Sequence, residues 1–85
     1  RDRGDSMQGA GIFDGDLLIV DRSVQAKSGN VVVAVVDGEF TVKRLQRRAG
    51  VTWLKAENPA YPPIELKDGQ ELEVWGVVSH VVHKP

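Results

Sequence analysis

The sequence predicts a small, mainly β domain of short antiparallel strands and hairpins, with little helix. Three observations predict it. Apolar runs of strand length recur along the chain, turn pairs such as Asp-Gly separate them, and no segment keeps a helical period beyond about one turn. At 85 residues the chain is expected to form one domain, 1–85, with no internal repeat, linker or low-complexity stretch.

The elements follow in order. Leu17-Leu18-Ile19-Val20 comes after the turn signal Asp14-Gly15-Asp16, and Val31 to Val36 comes after Lys27-Ser28-Gly29-Asn30. Both are continuous apolar runs, the pattern of strands covered on both faces. Asp37-Gly38 then separates the second run from Phe40 to Leu45, a strong hairpin signal that puts Lys43 on the returning strand. Arg47-Arg48-Ala49-Gly50 is a further turn, leading into Val51 to Leu54. The segment Asn58-Pro59-Ala60-Tyr61-Pro62-Pro63 must be an extended loop, because its prolines have no amide to donate. Leu72 to Val82 is long enough for one bent strand or two short ones, with Gly76 as the expected bend or bulge. Trp53 and Trp75 are expected in the core.

A chain of this size has little stability to spare, and the usual supplements are limited here. There is no cysteine, so disulfides are excluded, and two histidines cannot build a Cys/His zinc site. Association with a second subunit is the remaining candidate. The formal charge of −1 gives no general drive toward nucleic acid or anionic membrane, so direct DNA binding by this domain is not expected. No apolar run approaches the ~20 residues of a membrane span, and the expectation is a cytoplasmic protein. No cofactor or metal is called for. His80 and His83, three apart, would face opposite sides of a strand.

Two residues carry candidate chemistry. Ser6, in Gly4-Asp5-Ser6-Met7, lies among glycines that would let the chain bend sharply and expose its hydroxyl, with the amides of Asp5, Ser6 and Met7 as candidate oxyanion donors. Taken alone, such a serine reads more simply as a turn residue bonded to its own backbone. Lys43, in Thr41-Val42-Lys43-Arg44-Leu45, shares a strand face with Thr41 and Leu45, while Phe40, Val42 and Arg44 share the other. Parity does not say which face is buried, and a lone lysine on a strand is more simply a solvated one. A lysine ordinarily holds its proton up to about pH 10.4, so acting as a base near neutrality requires strong desolvation without an anionic partner. A serine and a neutral lysine together suffice for peptide-bond cleavage.

The segments GDSM at 4–7, GIFDGDLLIVDRS at 11–23, GNVVVAVVDGEFTVKRL at 29–45, ENPAYPPI at 57–64 and WGVVSHVVH at 75–83 occur in an order that resembles the catalytic domain of the LexA/UmuD family of self-cleaving proteins. The resemblance spans nearly the whole chain, and ENPAYPPI with VDGEFTVKRL points toward the UmuD branch. It implies a β domain of the kind shared with bacterial signal peptidases, Ser6 as nucleophile and Lys43 as general base. It also implies self-cleavage of an N-terminal arm assisted by a RecA-DNA filament. The processed product would be a homodimer that joins a UmuC-like polymerase as accessory subunit in translesion synthesis. The alternative is the C-terminal self-cleavage and dimerisation domain of a LexA-like or phage-type repressor. The arm and its cleavage bond are absent from these residues, which suggests a processed or truncated form. Arg1-Asp2-Arg3 stands where the family has a mostly apolar strand.

Two further features are open on the residues alone. Lys43, Arg44, Arg47 and Arg48 place four cations in six positions, more simply a solvated hairpin tip than a nucleic-acid contact. Pro59 to Pro63 with Tyr61 is either a partner-binding loop or a rigid surface loop.

Overall fold

The structure, a computed structural model, describes residues 6–66 and 70–83. Arg1-Asp2-Arg3, Gly4 and Asp5 lie outside the described residues, and with them the first of the candidate oxyanion amides. Among the described residues six strands run β1 (Leu17–Asp21), β2 (Val31–Val36), β3 (Glu39–Arg48), β4 (Val51–Lys55), β5 (Ile64–Glu65) and β6 (Leu72–Val82), preceded by a 3-10 turn at Gln8–Ala10. They form one antiparallel sheet in the order β1-β6-β2-β3-β4-β5. The mainly β architecture expected from the sequence is therefore present.

Two tight hairpins build the middle of the sheet. Val36 pairs with Glu39 across Asp37-Gly38, whose φ values are 48° and 87°. Positive φ at both central positions matches the turn twist to the strand twist, and Asp-Gly tolerates it well. Arg48 pairs with Val51 across Ala49-Gly50 in the same way, at φ 51° and 79°. Here an alanine adopts the left-handed region, which costs a residue with a Cβ about 1–2 kcal/mol. The strand between these turns extends from Glu39 to Arg48, longer than the Phe40 to Leu45 core read from the sequence.

β6 is one continuous strand with irregular pairing. Its register against β2 shifts between Val33 and Ala34, whose partners are Gly76 and Val74, so Trp75 is the extra residue beside the expected bend at Gly76. A second shift, between Ile19 and Val20, occurs against β1. Gly76 is required for space, since a side chain there would collide with Val20 and the Asp21 carbonyl of the neighbouring segment.

Core residues lie on one face of the sheet. Val32, Ala34, Leu45 and Leu54 are fully buried, with Ala26, Val36, Leu72, Val74 and Val77 packed around them. Pairing puts Val32 opposite Lys43 and Leu45 opposite Leu54, so the lysine stands on the core face. Met7 and Ile12, from the N-terminal turn, are the other large buried apolar side chains.

Three expectations change in the structure. The run Leu17 to Val20 is not covered on both faces: β1 is an edge strand, with Leu17 59% and Ile19 51% exposed. Neither tryptophan is in the core. Trp53 pairs with Gln46 on the face opposite Leu54, as alternation demands, and Trp75 sits at the bulge, where the Arg22 guanidinium lies 4.1 Å from its ring centroid. The four-cation cluster does not form one patch, because Lys43 is buried, Arg44 is ion-paired and Arg47 and Arg48 remain exposed at the hairpin end.

Candidate active site

Ser6 and Lys43 are 37 residues apart in the chain, and the fold brings them together with Nζ 3.2 Å from Oγ. Both are buried, at 1% and 6% exposure, so the Ser6 hydroxyl is enclosed by the fold and not exposed as its glycine-rich surroundings suggested. Each is held from a different direction. Lys43 projects from β3, which is bounded by β2 and β4 and is accordingly among the most constrained backbone of the sheet. Ser6 precedes the short turn in which the Met7 carbonyl accepts from the amides of Ala10 (3.0 Å) and Ile12 (3.2 Å). Burial of Met7 and Ile12 anchors that turn to the body of the domain.

Beyond the serine, Lys43 Nζ donates to Thr41 Oγ1 at 2.8 Å and to the Val42 carbonyl at 3.2 Å. Thr41 is two residues from Lys43 on the same strand face, so its hydroxyl is in place by strand geometry alone. The sequence grouped it with Lys43 but assigned it no part in the site. These contacts orient the amine.

The turn bearing Ser6 is fastened to the far side of the site by Gly9. Its amide donates to the Glu57 carbonyl at 2.6 Å, and a Cβ at Gly9 would overlap that oxygen. Glu57 in turn forms an ion pair with Arg44, the residue after Lys43. Neither Gly9 nor Glu57 carries a local sequence signal for this contact, which joins segments 48 positions apart only in the folded chain. Beside the turn an open hollow is lined by Gly9, Ala56, Pro59, Tyr61 and Pro62, with Pro59-Pro62 belonging to the loop foreseen from its prolines.

Met7 is buried next to the serine, and the candidate oxyanion amides of Ser6 and Met7 belong to this same turn. The histidines lie elsewhere. His80 contacts Ser79, and His83 reaches Asp16 at 2.7 Å, so the two histidines do not converge. Among the described residues no group of three or more His, Cys, Asp or Glu side chains could hold a metal ion, and no helix is long and apolar enough to cross a membrane.

Residues 1–79 match the family model described as Peptidase S24-like. The chain is 49% identical over 82 residues to LexA repressor 2 of Pseudomonas putida, covering 96% of this chain and 41% of that protein. It is 46% identical over 85 residues to the LexA repressor of Ectopseudomonas mendocina, covering 99% and 42%. Protein SamA of Salmonella typhimurium is 44% identical over 81 residues, covering 95% and 55%. The chain thus spans about two-fifths to just over half the length of these relatives. Because the family model matches through almost the whole sequence, this chain belongs to the S24-like peptidase family.

Proposed function

We propose that the chain is the self-cleavage domain of an SOS-type protein, with Ser6 as nucleophile and Lys43 as general base, acting on a peptide bond in an arm of its own parent chain. The observation that carries this reading is the buried approach of Nζ to Oγ at 3.2 Å. Apposition of a hydroxyl and an amine in a desolvated site is what a Ser-Lys mechanism needs, and such contacts are often long before substrate docks.

In the proposed reaction the neutral Lys43 amine removes the Ser6 proton as Oγ attacks the scissile carbonyl. Charge on the tetrahedral oxyanion is met by the backbone amides of Ser6 and Met7. The C–N bond then breaks, the Lys43 ammonium returns its proton to the leaving amine, and an acyl-serine remains. Water, deprotonated by Lys43, hydrolyses that ester and regenerates the hydroxyl. Thr41 and the Val42 carbonyl keep the amine oriented through these proton transfers. An arm docked in cis reacts at an effective concentration of roughly 10⁵ M or more, so slow chemistry is adequate for a single cut. The arm also displaces water from Lys43. A RecA-DNA filament need only favour the docked arrangement.

The parent is a LexA-like repressor or a UmuD-like polymerase subunit. Most of the relatives found bear the name LexA repressor, which favours the repressor, with this domain supplying cleavage and dimerisation. The UmuD-like reading is supported by the likeness to Protein SamA and by the ENPAYPPI and VDGEFTVKRL segments. On that reading the processed homodimer serves a UmuC-like polymerase. A helix-turn-helix region encoded upstream in the parental gene decides for the repressor, and a short arm of a few tens of residues decides for the other. In either case the exposed Leu17, Ile19 and Val82 on the β1 and β6 side of the sheet give a second copy an apolar surface to cover.

The test is self-cleavage of the full-length parent, with and without RecA filament, across a pH series. Ser6→Ala and Lys43→Ala are expected to abolish cleavage with the fold retained, and the rate of the unaltered protein is expected to rise with pH, because only an uncharged amine accepts the proton. A Ser6→Ala protein that still cuts itself, free of contaminating protease, rules the mechanism out.

A further inference from the structure

Lys43 is followed in β3 by Arg44, whose side chain strand alternation sends to the other face of the sheet. Its guanidinium is held at both ends. Nε pairs with the Glu57 carboxylate, and Nη1 donates to the Gly29 carbonyl at 2.5 Å. Gly29 is itself tied to the strand, since its amide donates to the Leu45 carbonyl at 2.7 Å. Glu57 is equally constrained. Its side chain is fixed by Arg44 and its carbonyl accepts from Gly9, while Asn58 closes the loop behind it by accepting from the Ala60 amide at 3.0 Å. One residue therefore links the strand that carries the lysine to the turn that carries the serine. The link passes around the strand and touches neither reacting atom.

We propose that the Arg44–Glu57 ion pair is a positioning clamp that holds the Ser6 turn at attacking distance from Lys43. The proposal rests on the reading of Ser6 and Lys43 as the reacting pair, and it assigns both clamp residues a part in the rate without contact to substrate. Gly9 is close enough to the Glu57 carbonyl to exclude a methyl group, so a displacement of Glu57 is passed directly to the turn that begins at Ser6. Loss of the carboxylate frees the Glu57 backbone to drift, and the serine drifts with it. The contacts of Lys43 with Thr41 and Val42 lie within β3 and stay as they are. The clamp thus sets the distance across which the proton moves and leaves the base itself unaltered.

The experiment uses the full-length parent and compares Glu57→Gln, Arg44→Gln and the double variant. First-order self-cleavage is followed across a pH series alongside thermal melting. Hydrogen exchange of segment 7–12 is measured in a Ser6→Ala background, which cannot cut itself. Each single variant is expected to slow the plateau rate at least about tenfold, as displacement of a reacting group does. The midpoint of the pH profile should stay in place, and segment 7–12 should exchange faster. The double variant should be no slower than the slower single variant within about twofold, because the two residues act as one unit. Single variants that cut at the unaltered rate, a shifted pH midpoint, or losses that multiply in the double variant each overturn the proposal. Should Glu57→Gln be unfolded at the assay temperature, Glu57→Asp is read in its place against the same criteria. Cleavage by Ser6→Ala sinks the reacting pair itself, whereas an inert Ser6→Ala beside a fully active Glu57→Gln sinks only the clamp.

Discussion

Gly9→Ala places a methyl group in overlap with the Glu57 carbonyl oxygen, with the carbonyl carbon at 3.2 Å and the Glu57 Cβ at 3.4 Å from the new atom. Neither neighbour is the far end of a flexible side chain. The turn must therefore retreat from the loop by roughly 1 Å, a displacement that costs about a hundredfold in rate when it reaches a reacting group. The Gly9 amide also loses its 2.6 Å bond to that carbonyl. Overpacking of this kind costs about 1–3 kcal/mol. A domain of this length has roughly 4–13 kcal/mol of stability at typical per-residue values, so the variant is expected to remain folded while its chemistry fails. Self-cleavage of the full-length parent, read as a first-order rate and paired with a melting curve, separates the two effects. A Gly9→Ala protein that melts normally and cleaves at the unaltered rate refutes the reasoning, because it shows that the serine does not depend on this contact for its place.

Two predictions concern the frame of the domain. Ala49, at φ 51° in the β3-β4 turn, is strained by its Cβ, so Ala49→Asn, a residue that tolerates the left-handed region, is expected to raise stability by about 0.5–1 kcal/mol in urea unfolding; an unchanged or lower midpoint refutes the strain. The Ser23 hydroxyl, at 2.7 Å, and then the Ser23 amide hold the Asp21 carboxyl below its usual value, and Ser23→Ala is expected to move its titration upward in NMR. With the folded value depressed, the contribution to stability is present above the unfolded carboxylate range and is lost as the pH falls through the folded value. A Ser23→Ala protein whose Asp21 titrates unchanged contradicts the assignment.

Much of the fold was legible because strands and tight turns are local. Val31 to Val36 coincides with β2, and Asp37-Gly38 closes the hairpin where the sequence put it, since positive φ at two adjacent positions restricts which residues can stand there. The edge position of β1 was not legible. A continuous apolar run looks the same whether a second layer covers it or not, and Leu17 and Ile19 are exposed because β1 lies at the edge of the sheet with their side chains half open to solvent. Trp53 shows the opposite case, because alternation with Leu54 already barred the two from sharing one core face.

By itself the sequence determined that Ser6 was a candidate nucleophile in a turn, and that Thr41, Lys43 and Leu45 shared one face of a strand, since residue type and a period of two are local properties. Only the tertiary structure decided that this face is the buried one. It also decided that the lysine reaches across 37 residues to the serine, and that Glu57 fastens the serine turn to the neighbouring arginine. The reason is that burial and strand order arise from contacts between distant segments, and no periodicity within a segment records which other segment will lie against it.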